Sequence, residues 1–252
     1  IGLTELHDIR CKKTYIYNFM FNNIIEFIAH EDYVDLKEDY PNPIKLNIPE
    51  WYKKLEHTIT NTTVKGCMPF LDTLTTGYLL KVPRDYGFVH NKKNKDGQPD
   101  IEWHPLAVEG NLFRAKSINL GGEAPSVHPV KQVLGSSLAE KNKQLPFLKI
   151  FNPWIIKTPP GYSCLFVPPL NNTDDRFSII PGIVDTDTFT QEINFPIVIN
   201  GDKYPILDTV IKKGTPYVQV IPFKRESWKM KVTGVSTNYM NKQKMFFNLK
   251  FL

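Results

Sequence analysis

The sequence predicts a mainly β protein: a compact, antiparallel, hairpin-rich (β-clip-like) fold with minor helical decoration. Three observations carry that expectation. Between Thr158 and Lys224, short runs of Val, Ile, Phe and Tyr alternate with breaks built from Gly, Pro, Asn and Asp, the pattern of closely spaced strands joined by tight turns. The 20 prolines and 12% aromatic residues favour strands and irregular connections over long helices. The 41% hydrophobic and 23% charged residues in 252 are those of an ordinary soluble protein, which argues against global disorder.

In chain order, residues 1–22 show no hydrophobic period and read as an N-terminal extension, with Met20 a candidate native start. Residues 23–252 read as a single β-rich domain. Asn23 to His30 has the apolar content of a buried strand. Asp32 to Asp39 is acidic and expected at the surface, and Pro41 and Pro43 hold the next residues extended. Ile48 to Leu55 predicts a short helix that plugs one side of a sheet. Pro49 suits its first position, Glu50 complements the positive end of its dipole, and Trp51 and Leu55 share a face. Phe70 to Thr76 fits a helical turn, and Gly77 to Val82 a strand closed by Pro83. Arg84 to Gly110 reads as a long hairpin whose polar tip, Lys92 to Pro99, holds the turn pair Asp96-Gly97. Gly121-Gly122 and Gly135 mark loops, and a helical turn is expected over Ser137 to Lys143. Lys149 to Ile156 then leads into the strand-rich stretch from 158 to 224.

The chain's net charge of +5 is mild, and its basic clusters (Lys92, Lys93, Lys95; Lys224, Arg225, Lys229, Lys231) are spread out. They read as solvated surface, so no nucleic-acid partner is expected. Cys11, Cys67 and Cys164 lack metal-ligand spacing and fit reduced thiols in a cytoplasm, Cys164 inside a strand. No apolar run is long enough to span a bilayer and the first residues lack the order of a signal peptide, so neither a membrane partner nor secretion is expected. His30-Glu31-Asp32 has the spacing of two iron ligands, and Arg225-Glu226-Ser227 superficially resembles the oxoglutarate-binding RxS of iron oxygenases. No histidine follows His128, so that ligand set is incomplete. Trp103, Trp154 and Trp228 read as core aromatics.

The place where the sequence offers chemistry is the acidic turn Asp185-Thr186-Asp187, which closes the strand-like run Ile180 to Val184. Further on, a strand ending at Asn200 is followed by Gly214-Thr215-Pro216 and the run Tyr217 to Ile221 carrying Gln219. In the order of these parts, residues 158–224 resemble the trimeric dUTPase and dCTP deaminase superfamily. The resemblance implies interlocking hairpins, a homotrimer, and a nucleotide or other small-molecule ligand. Asp185 would match the carboxylate that holds the attacking water, and Glu192 lies near the place of the deaminases' catalytic Glu. Asp187 would be a companion, Phe189 would lie beneath the sugar, and Gln219 near the phosphates. Mg²⁺ would be needed if a phosphate ester is hydrolysed. The chain departs from the pattern where the superfamily has Pro-Arg-Ser-Gly: here stand Pro168-Pro169-Leu170-Asn171. The apolar terminus MFFNLKFL replaces a Gly-rich arm.

The segments IPEWYKK, CMPFLDTLTTGY, NPWIIKTPPGYSCLFVPPLN and FSIIPGIVDTDTF are similar to proteins of tailed phages of marine cyanobacteria, which implies expression in an infected bacterial cytoplasm. Two functions from different classes follow. One is a protein that binds a small polar ligand, for which a nucleotide is a candidate, with Mg²⁺-dependent hydrolysis at the acidic turn if that ligand is a phosphate ester. The other is a non-catalytic structural or host-interaction protein on the same scaffold, in which Asp185 and Asp187 merely form the turn. The residues leave open whether the protein is an enzyme.

Overall fold

The computed structural model describes residues 23–34, 37–105 and 127–250. The N-terminal extension, Gly121-Gly122 and the end of the hairpin at 106–110 lie outside them.

The described strands are, in order, β1 (Glu26–Ile28), β2 (Asn42–Pro43), β3 (Tyr78–Lys81), β4 (Tyr86–Lys93), β5 (Pro99–Pro105), β6 (Val127–His128) and β7 (Phe147–Ile150). They continue as β8 (Ile155–Lys157), β9 (Tyr162–Val167), β10 (Phe177–Ile179), β11 (Gly182–Val184), β12 (Phe195–Ile199), β13 (Leu207–Ile211) and β14 (Pro216–Lys224). They form four antiparallel sheets, ordered β1-β8, β10-β12-β7-β6, β11-β9-β14-β3-β2 and β13-β4-β5. The fold is mainly β, as the sequence predicts.

β4 and β5 form the expected hairpin around Asp96-Gly97, with Phe88 opposite Trp103. Most other neighbours are distant in sequence, so the sheets are interwoven. β14 is the centre of this weave. Its residues Tyr217 to Val220 are all buried, with β9 paired along one edge and β3 along the other. A strand covered on both faces reads as a continuous apolar run, and Tyr-Val-Gln-Val fits that rule except at Gln219. Around it the sheets share a core in which Phe166 packs tilted on Phe195 and Phe195 meets Tyr217 edge-to-face, with ring centroids 5.3 and 5.8 Å apart. Each such side chain contributes roughly 1.5–3 kcal/mol by leaving water. Trp154 and Cys164 lie in this core, as expected.

The short helices also form, at Glu50–Lys54, Met68–Thr73 and Ser137–Lys141. Pro49 caps the first of these from outside. Its buried residue is Tyr52, stacked on Phe70 at 5.9 Å; Trp51 remains 48% exposed. The expected Trp51–Leu55 face is therefore not the one that packs, since a helix barely one turn long is oriented by its single best aromatic contact.

Three further expectations are corrected. Asn23 to His30 yields only the short β1, half-exposed because it pairs with β8 alone. Asp39 is buried in the acidic segment, where the Lys213 ammonium 3.0 Å away offsets its charge. Trp228 is 88% exposed. It belongs to a segment that leaves the body after β14 and ends in the helix Thr237–Lys250, with every described side chain from Phe223 to Phe246 exposed.

Candidate functional site

Register brings three strand ends to one corner. β9 lies between β11 and β14, with Val184 opposite Cys164 and Lys224 opposite Tyr162. The acidic turn that follows β11 therefore meets the start of β9 and the residue after β14, Arg225. The Arg225 backbone N–H donates to the Gly161 carbonyl at 2.8 Å, which fixes that end of the chain.

The guanidinium of Arg225 then spans the turn. Its Nη1 donates to Asp187 Oδ1 at 2.9 Å, to Ser163 Oγ at 3.0 Å and to the Tyr162 carbonyl at 3.0 Å. Its Nη2 donates to Asp187 Oδ2. This is the two-pronged Arg–carboxylate geometry that makes charge-assisted bonds strong. Asp187 Oδ2 also accepts from the Gly161 N–H at 2.8 Å, and its side chain is 6% exposed. The hydrogen bonds from Arg225, helped by Gly161, hold the Asp187 carboxyl down at about 2.

Asp185 joins the same cluster from the outside. Its Oδ1 accepts from the buried Ser163 hydroxyl at 2.6 Å and lies 3.1 Å from Arg225 Nη1. The side chain remains 60% exposed. Between the two aspartates, Thr186 is buried, its hydroxyl 2.7 Å from that of Thr158 and 3.4 Å from Cys164 Sγ. Burial pushes the Cys164 thiol up, so it stays protonated at neutral pH.

Asp185 and Asp187 are thus brought together; the other candidates stand apart. Gln219 precedes Arg225 by six positions along the extended chain, roughly 20 Å. It is fully buried, and its amide is spent: Oε1 accepts from the Leu170 N–H at 2.8 Å, and Nε2 donates to the carbonyls of Thr73 at 3.1 Å and Thr76 at 2.7 Å. Leu170 lies in the segment Pro168-Pro169-Leu170-Asn171. Asn171 bonds Thr73 Oγ1 at 2.7 Å, so this segment is tied to the helix Met68–Thr73. Phe189 bonds Asp185 only through its backbone N–H, at 2.9 Å, and its ring is 39% exposed. Glu192 is exposed and makes no hydrogen bond or ion pair with a described residue.

Asp185 and Asp187 do not fit a shared Mg²⁺, because the Arg225 guanidinium already lies against both carboxylates. Among the described residues no group of three or more His, Cys, Asp or Glu is placed to hold a metal ion. A surface groove of about 350 Å³ lies elsewhere, at the β4–β5 tip, lined by Val89, Lys92, Lys93, Lys95 and Glu102 among others. No described helix is long and apolar enough to cross a membrane.

Arg225, Ser163 and Gly161 are the site residues that sequence reasoning missed. Arg225 lies 38 positions from Asp187, and only the β9–β14 register makes them neighbours. No family model, curated protein or solved structure matches the chain.

Proposed function

We propose that this chain is a non-catalytic structural or interaction protein whose acidic turn is a brace between three strand ends. The observation that carries this reading is the engagement of both turn carboxylates by Arg225. Asp187, the companion carboxylate, is committed to Arg225 and the Gly161 N–H and held at about 2, so it serves the brace. Gln219 supports the reading, since its amide is committed to three backbone groups. In this reading the protein acts in an infected bacterial cytoplasm, the setting its resemblance to the cyanobacterial phage proteins implies.

One observation favours the nucleotide-binding alternative: Asp185 is more than half exposed and keeps Oδ2 without a bond to a described residue. Thermal unfolding against a panel of nucleotides, with and without Mg²⁺, separates the two. A ligand that binds only the native state raises the midpoint in proportion to the logarithm of its concentration over Kd. The structural reading expects no shift. A dose-dependent rise with one nucleotide, abolished in a folded Asp185→Ala variant, would replace it with the ligand-binding one.

A further inference from the structure

Among the described residues, the segment after β14 exposes a run of large apolar side chains. Trp228, Met230 and Val232 are 88%, 91% and 85% exposed, and Val235, Tyr239, Met240, Met245 and Phe246 are exposed as well. So many exposed large apolar side chains in one segment mark an interaction surface. Trp228, Met230 and Val232 alternate with Lys229 and Lys231, the two-residue period of a chain that buries one side against a partner. The helix Thr237–Lys250 has 14 residues, a length that is marginal in water without packing. Among the described side chains of residues 227–246, no hydrogen bond, ion pair or ring contact reaches another element.

An exposed apolar face also lies on the body. Trp51 and Met68 are 48% and 62% exposed, and Val64 is exposed too. They belong to one unit: the Trp51 ring lies 6.1 Å from Phe70, and Lys65 Nζ bonds the Lys53 carbonyl at 3.0 Å.

We infer that residues 226–250 are an arm that packs on a second copy of this chain, against the apolar face around Trp51, Val64 and Met68. Size supports this occupant. An arm of about 25 residues is one side of a standard interface, and its exposed apolar side chains offer on the order of the 800 Å² that each partner contributes. Donor and acceptor lie on the same chain, so two copies related by a twofold axis satisfy both surfaces at once. Tyr239, Met240, Met245 and Phe246 are distributed around the helix and do not form the single apolar face that a membrane surface selects.

Sedimentation velocity of the full chain over a concentration series is the test. The wild type is expected to self-associate. Trp228→Glu with Met230→Glu is expected to weaken that association at least tenfold with an unchanged circular dichroism spectrum, since these side chains support nothing in their own body. The acceptor is read separately by Cys67, an exposed free thiol beside Met68. In a Cys11→Ser background, Met230→Cys, Val232→Cys or Val235→Cys should form an intermolecular disulfide with it, lost in Cys67→Ser. A monomer at every attainable concentration overturns the inference, as does association that ignores the arm substitutions. Association without any cross-link to Cys67 overturns the acceptor face. Association only with added nucleic acid, abolished by salt as phosphate contacts are, overturns the choice of partner.

Discussion

Arg225 shows how much one side chain decides here. It binds both aspartates of the acidic turn, Asp185 being the one expected to hold an attacking water, and it joins the ends of β9, β11 and β14. Arg225→Met would leave Asp187, 6% exposed, with the Gly161 N–H as its remaining donor. The expected result is a melting midpoint several degrees lower. A double-mutant cycle with Asp187→Asn should show strong coupling between the two positions. The pH dependence has a definite sign. Because the folded Asp187 carboxyl sits at about 2 against an ordinary 3.8, its stabilisation is complete above about pH 4 and is lost as pH falls toward 2. Acid titration of the variant should lack that limb.

His90 gives a second acid limb at milder pH. It is fully buried, its Nε2 lies 3.2 Å from the Asn142 carbonyl, and its Nδ1 has no partner. Burial pushes it from 6.5 to about 4, with Lys143 nearby acting in the same direction. The folded state therefore stays neutral where the unfolded chain takes up a proton. Stability should fall as pH drops from about 6.5 to about 4, by up to about 3 kcal/mol. Denaturant melts across this range should show the slope in the wild type and not in His90→Phe. The Asn142 carbonyl would keep a donor in that variant, from the Leu145 N–H at 3.1 Å.

At the scale of elements, β3 and β14 pack so closely that the turn before β3 has room only for glycine. Gly77 has φ +83°, and a Cβ there would lie 2.2 Å from the Val220 carbonyl oxygen. Gly97, at the hairpin tip, has φ +77° with nothing within 4 Å. Gly77→Ala should thus cost about 2–4 kcal/mol, strain plus clash, whereas Gly97→Ala should cost about 1. Equal costs in parallel urea titrations would show that the β3–β14 approach is looser than described. The elements most legible in sequence are those made by local chemistry: the β4–β5 hairpin around Asp96-Gly97, β3 closed by Pro83, and the turn at Met68–Thr73. β1 was less legible because its apolar run does not show that a single partner strand covers it.

Across the whole molecule, the candidate site divides along the same line. That Asp185 and Asp187 form a turn at a strand end was legible, because strand and turn are neighbours in sequence. That the turn is neutralised was not, because its partner follows β14 and arrives through the β9–β14 register. Gln219 shows the same limit: a polar residue in an apolar strand stands out in sequence, but its three backbone partners at 73, 76 and 170 are set by packing. Trp228 reverses the point, since an aromatic residue invites a place in the core and this one has left it. By itself the sequence determined the mainly β class, the positions of most turns and the apolar character of its strands, since these follow from backbone preference and short-range alternation. Only the tertiary structure decided which strand ends meet, that Arg225 closes on both aspartates, and that residues 226–250 stand away from the body. Those outcomes depend on pairing between distant segments, where a shift of one residue in register would change every partner.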